Sequence, residues 1–194
     1  MIIYLFLFTT FIFLLFSSIH HTFNCHSNEV WRCCYKMDLL GIMFQLLTAT
    51  LCSFQFMFHD FDELRNIYCY SFLALGSFTI ILSMFDFFIS AKLNLFLMLS
   101  YASLFVISFL SSIHWVAIAN FDEVESISEY VLMSFVFVFV GFSIFLAKFP
   151  ECVVQHKFID YFFNSHIIWH LCCVGSAVSY YMMLSKYYML ISDA

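Results

Sequence analysis

The chain has 194 residues, 64% of them hydrophobic and only 10% charged, with 29 phenylalanines and a single proline. A soluble domain is about 45–50% apolar and about 25% charged, so this composition belongs in a lipid bilayer. A formal net charge of −6 leaves no basic patch, which excludes nucleic acid as an expected partner, and four glycines are too few for a phosphate-cradling loop.

The first apolar segment runs from Ile2 to about Ile19 and carries no charge. It lacks the basic start and small-residue cleavage site of a signal peptide. The chain then turns polar from His20 to Asp38, with Glu29, Arg32 and Lys36. Segment two is Leu39 to Phe58, followed by an acidic loop from Asp60 to Asn66. Segment three is Ile67 to Ile89, with one charge, Asp86, near its end. A tight turn at Ser90 to Lys92 leads to segment four, Leu93 to Ala119. A second acidic loop holds Asp122, Glu123, Glu125 and Glu129. Segment five is Tyr130 to Ala147, and a longer loop with Lys148, Pro150, Glu151, His156, Lys157 and Asp160 follows it. Segment six runs from about Phe162 to Leu184.

Each segment approaches the roughly 20 residues a helix needs to span a bilayer. Open strands are excluded because lipid cannot satisfy their backbone groups. The expected fold is all-α: six transmembrane helices in one domain covering residues 1–194, with neither an internal repeat nor an interdomain linker. The loops after segments one, three and five hold Arg32, Lys36, Lys92, Lys148 and Lys157, against Arg65 and Lys186 on the other side. By the positive-inside rule the first set is cytoplasmic. Most of the eight cysteines lie in apolar segments or beside those loops, where thiols stay reduced, so they are not a disulfide framework.

The polar residues inside this apolar chain are the candidate functional groups, because each is expensive there without a partner. His166 and His170, in Ser165-His166-Ile167-Ile168-Trp169-His170, stand one helical turn apart on one face, so both rings can reach one metal ion. His21 ends the first segment and Asp38 begins the second. The alternating topology brings all four to the cytoplasmic ends of their helices.

Ser17-Ser18-Ile19-His20-His21, His26-Ser27 and Lys36-Met37-Asp38-Leu39-Leu40-Gly41-Ile42 resemble the first motif of the progestin and adipoQ receptor family. Phe149-Pro150-Glu151, Lys157-Phe158 and Ser165 to His170 resemble its last, and Phe85-Asp86 and Ile113-His114-Trp115 fall at family-like places. The similarity covers nearly the whole chain in order. Among vertebrate members the resemblance is to the adiponectin receptors and their Golgi-resident relative, and the His-Trp pair and Ile-Trp-His ending lean towards the latter. The family has seven membrane helices, so the six segments are expected to correspond to its last six, in a fragment, a short gene model or a reduced homologue.

The resemblance implies a Zn2+ ion held by His21, His166 and His170, with Asp38 and Ser17 as the catalytic groups beside it. Three neutral imidazoles leave zinc one open position, in which a water's pKa falls to about 7. Asp38 would accept a proton or orient the water, and Ser17 shares a helix face with His21. The implied reaction is hydrolysis of a ceramide-like lipid amide. The implied partners are that lipid, an extracellular protein or steroid ligand, and cytosolic signalling partners. The alternative is a Golgi tethering protein in which zinc is a structural clamp. The expected location is the plasma membrane or the Golgi and endoplasmic reticulum.

Each residue also has a plainer role. Asp38 precedes an apolar helix and suits an N-cap. Ser17 can bond its own helix backbone. His20 points about 100° from His21 and is a poor co-ligand. His26 is expected in a loop, His114 in a buried polar contact away from the site, and Asp86 in a helix-end contact. Cys33 and Cys34 are either palmitoylated or simply reduced thiols.

Overall fold

A computed structural model describes residues 2–23, 25–89, 94–154, 158 and 163–193, with their side chains except those of residues 94 and 191–193. The expected turn at Ser90 to Lys92, the loop residues His156, Lys157 and Asp160, and the expected start of segment six at Phe162 lie outside these residues. Among the described residues every regular element is a helix: α1 (Ile2–Phe23), α2 (Asn28–Met57), α3 (Asp62–Met84), α4 (Asp86–Ile89), α5 (Asn94–Ile118), α6 (Phe121–Ala147) and α7 (Ser165–Asp193). All but the four-residue α4 are long and apolar enough to cross a membrane. The protein is a multi-pass integral membrane protein.

The described residues gather into two compact units, Met1–Ile118 and Ala119–Ala194. In the first, α1 buries Phe6, Thr9, Phe13, Ser17 and His20, a stripe at helical spacing that includes three polar residues. Leu5, Phe8, Phe11 and Leu15 are exposed on the other faces. That inversion suits lipid, which solvates apolar side chains and leaves polar ones to find partners inside the protein. The stripe meets α2 antiparallel. Gln45 Oε1 accepts hydrogen bonds from Thr9 and Thr10 at 3.1 Å each. Further along, the helices draw so close that a Cβ on Gly41 would stand 3.0 Å from Phe13 Cα. α5 braces α2 through Thr50 and Ser108 (3.1 Å) and through the Tyr101 hydroxyl, which donates to Leu39 O at 3.1 Å and lies 3.0 Å from Ser83 Oγ on α3.

In the second unit α6 and α7 run antiparallel. Ser134 and Ser176 hydroxyls are 2.8 Å apart near the middle of the pair. Towards one end, a Cβ on Gly141 would stand 2.6 Å from Cys172 Cβ and 3.1 Å from the Trp169 ring. Only a hydrogen fits there, and that gap lets Trp169 lie against Phe142 and Phe145, with ring centroids 6.0 and 6.4 Å away.

α2, α3 and α6 begin earlier than the hydropathy pattern suggests. α2 starts at Asn28, not Leu39, because the Ser27 side chain caps it by accepting from Val30 N at 3.3 Å. Its polar first turns find partners: Lys36 Nζ lies 2.8 Å and Arg32 3.9 Å from the Asp86 carboxylate. The hydrogen bond from Lys36 holds the Asp86 carboxyl below its ordinary range, with the Lys36 and Arg32 charges adding to it against a smaller burial cost. Asp38 therefore lies within α2 and is not its N-cap. The acidic stretch expected as a loop is likewise the start of α6, with Asp122 and Glu123 in the first turn. Carboxylates there complement the positive end of the helix dipole. Segment three is divided at Phe85, whose extended backbone (ψ 125°) separates α3 from α4.

Candidate metal centre

The end of α1 and the first third of α2 form one cluster of donors. Ser17 is 3% exposed and its side chain hydrogen-bonds the Asp38 carboxylate, so it does more than bond its own helix. Asp38 is 8% exposed, and its Oδ1 is buried with no hydrogen-bond partner among the described residues. One ring nitrogen of His20, one of His21 and one Asp38 oxygen lie within 4.8 Å of each other. His21 is exposed, whereas His20 is 7% exposed and its Nδ1 also has no partner among the described residues. The His20 ring meets His21 edge-on at 5.0 Å and is backed by Tyr35 at 5.5 Å and Trp31 at 6.5 Å. Those last two rings stack, 5.3 Å apart and 6° from parallel.

The packing described above places this cluster. The close approach at Gly41 holds α1 against α2 one turn from Asp38. The Tyr101 bond to Leu39 O ties α2 to α5 one residue beyond Asp38. Tyr101 was not legible as a support, because a lone tyrosine in an apolar helix gives no sign of its partner. Helix geometry alone makes His20 a poor co-ligand of His21. The angle between neighbouring Cα directions does not limit how closely two flexible imidazoles approach beyond the backbone.

The start of α7 holds the second group. Lys148 ends α6 in a left-handed conformation (φ 49°), and its N–H caps Ile144 O and Phe145 O. In the turn that follows, the Glu151 carboxylate accepts from Ser165 N at 2.8 Å and from the Ser165 hydroxyl. Asn164 Oδ1 accepts from Ile167 N at 2.9 Å. Two of the amides left open at the start of α7 are thus satisfied by side chains. Burial works to raise the Glu151 carboxyl, but the bonds from Ser165, a backbone bond of its own and the Lys148 charge together bring it below its ordinary range.

On the turn thus fixed, His166 Nε2 and His170 Nε2 are 2.9 Å apart, with rings inclined at 75°. Phe145 backs His166 at 5.6 Å. Ligands about 2.0–2.1 Å from one tetrahedral zinc would be about 3.4 Å apart. The observed spacing is a hydrogen-bond distance, and a small ring rotation opens it to a bidentate grip. The donor chemistry of this pair therefore fits a borderline divalent cation. His21 belongs to the first unit, His166 and His170 to the second.

The other singled-out residues lie elsewhere. His114 Nδ1 is 2.7 Å from the Tyr68 hydroxyl, beside the Phe58 ring. His26 lies in the turn before α2, with its N–H on Phe23 O. Cys33 is exposed and Cys34 buried on α2, and both are free thiols.

Six membrane-crossing helices, with imidazole, carboxylate and hydroxyl groups gathered at helix ends, define a helical membrane protein equipped with metal-ligand residues. The chain belongs to the haemolysin-III-related family, which it matches over residues 1–181, the family of progestin and adipoQ receptor-like membrane proteins. It is 27% identical over 169 residues to heptahelical transmembrane protein 1 of Arabidopsis thaliana, covering 87% of this chain and 51% of that protein. It is 22% identical over 169 residues to progestin and adipoQ receptor-like protein 1 of Caenorhabditis elegans, covering 86% and 38%. It is 25% identical over 174 residues to the adiponectin receptor protein of Drosophila melanogaster, covering 88% and 39%. The chain thus spans about half or less of the length of these relatives.

Proposed function

We propose that this protein is a zinc-dependent hydrolase of ceramide-like lipid amides, working at the membrane surface where α1 ends and α7 begins, and that it serves lipid-metabolism signalling. His21, His166 and His170 hold the ion. With one membrane crossing for each of α2, α3, α5 and α6, an even number separates the end of α1 from the start of α7. That parity supports joining the two donor groups. When bound, zinc supplies an acidified water and polarises a carbonyl oxygen.

Asp38 carries the case for catalysis over a structural clamp. A clamp has no use for a buried carboxylate with one oxygen unpartnered, hydrogen-bonded to Ser17 and within 4.8 Å of a histidine nitrogen. Asp38 takes the proton as water adds to the amide carbon and returns it to the amine nitrogen as the C–N bond breaks, releasing a fatty acid and a long-chain amine. Ser17 keeps the carboxylate aimed.

The test is metal content and turnover together, on full-length protein in detergent. About one zinc per chain is expected. Replacing His166 and His170 by alanine should weaken zinc binding beyond the roughly 10–100-fold that loss of a mere outer partner costs. Asp38→Asn should keep the metal and lose amide turnover. Metal-free wild-type protein, or full turnover by Asp38→Asn, overturns the proposal.

A further inference from the structure

We infer that His20, His21 and Asp38 form a second divalent-cation position, contained wholly within α1 and α2, in which Asp38 is itself a ligand. It extends the proposed function and shares His21 with it, but it needs nothing from α7.

Three observations carry it. The donors are already together, one atom from each within 4.8 Å of the others. Two of the three residues are more than nine-tenths buried, and each leaves a polar atom, His20 Nδ1 and Asp38 Oδ1, without a hydrogen-bond partner among the described residues. Buried polar atoms are nearly always satisfied, so two orphans in one cluster point to a ligand that serves both. The composition suits the role as well: two imidazoles and a carboxylate are a known protein set for a zinc ion with an open position. A cation there offsets the buried charge of Asp38, which one hydroxyl from Ser17 does not.

The arrangement of His20 fits a ligand better than a packing residue. Its ring is wedged between His21 and the Tyr35 and Trp31 rings. An apolar side chain would fill that space without leaving a nitrogen unpaired. His166 and His170, by contrast, already satisfy each other through their 2.9 Å contact. An ion held by His20, His21 and Asp38 occupies the carboxylate that hydrolysis needs free. This position is therefore a holding site, from which the ion must leave before Asp38 can accept a proton.

The experiment uses full-length protein in detergent micelles, stripped by chelator and titrated with Co2+ and with Zn2+. In the His166→Ala/His170→Ala background the two-helix site should still bind about one Co2+, with the visible absorption of a nitrogen and oxygen ligand set. Adding His20→Phe should weaken that binding at least about tenfold. Zn2+ should raise the melting temperature of the double variant but not of the triple one, since only a bound ligand stabilises the folded state. His20→Gln guards against misfolding: with the apo melting temperature of its parent, it should show the same loss. A double variant that binds no Co2+, or binds it equally with and without His20, overturns the inference. Equal affinity in wild type and double variant would instead overturn the three-histidine site and leave the two-helix position standing.

Discussion

The two histidine-bearing regions are built on opposite plans. On α1 and α2 the donors are part of the packing: Ser17, His20 and Asp38 are buried, and the helices that carry them approach so closely at Gly41 that a Cβ there would stand 3.0 Å from Phe13 Cα. On α7 the donors are half-exposed and held by a local device, Glu151 and Asn164 capping the turn from which His166 and His170 project. The difference teaches where each region's precision comes from. Contacts between two separate helices set the first, and residues close together in the chain, Glu151, Asn164 and Ser165, set the second. Damage to the helix interface should therefore destroy the first group together with the unit's stability, whereas the second can be loosened with little cost to the fold.

Gly41→Val should give the largest effect and tests the first half of that contrast. Its new Cβ meets the Phe13 backbone, which cannot swing aside as a side-chain tip would. Overpacking of this kind costs about 1–3 kcal/mol, and the upper end is expected here. Detergent-titrated unfolding should show the loss, and cation affinity should fall with it. An unchanged melting curve would mean that the helix contact does not set the donors. Glu151→Ala tests the second half. It removes a helix-end cap, worth typically about 1 kcal/mol, and should be felt locally as faster amide exchange at Ser165 to Ile168 with the α6–α7 contact intact. Glu151→Gln should restore part of the protection.

The same cap makes the second region pH-sensitive. The folded Glu151 carboxyl lies below its ordinary value of 4.5. For a depressed acid, the stabilisation is complete above the unfolded value and drains away as pH falls through the folded one. Exchange protection at the start of α7 should accordingly be flat from neutral pH down to about 5 and decline below about 4.5. Glu151→Gln should remove the pH dependence. A decline that persists in that variant would place the titrating group elsewhere.

How far these regions were legible in the sequence follows from the same contrast. The six apolar runs mark the six crossing helices, because hydropathy depends on composition alone. The starts of α2 and α6 were not legible, since charged residues read as loop until their partners are known. Arg32 and Lys36 remain helical by sharing Asp86, fifty residues away in the chain. His166 and His170 were legible because their spacing is local. His21, Asp38 and Ser17 were found mainly through resemblance to a family, and the Ser17 bond to Asp38 ties two helices that no local pattern connects. That a His20 ring nitrogen comes near His21 and Asp38 was not legible, because a helical wheel records directions at the backbone and not where ring nitrogens end.

The smallest expected effect sharpens the comparison by supplying a polar contact that belongs to neither plan. Tyr68 on α3 and His114 on α5 are 2.7 Å apart beside Phe58, which stacks on Tyr68 at 4.9 Å. Phe58 lies twenty residues beyond Asp38, a distance of about 30 Å along a helix rising 1.5 Å per residue. Tyr68→Phe keeps the ring and its stacking and deletes only the hydroxyl. Polar contacts between membrane helices average about 0.6 kcal/mol, because the separated helices find other partners. The variant should therefore melt only slightly below wild type and bind Zn2+ and Co2+ with unchanged affinity. If cation affinity instead followed this substitution, the donors on α1 and α2 would answer to the whole length of the helix. The local packing at Gly41 would then not be what sets them.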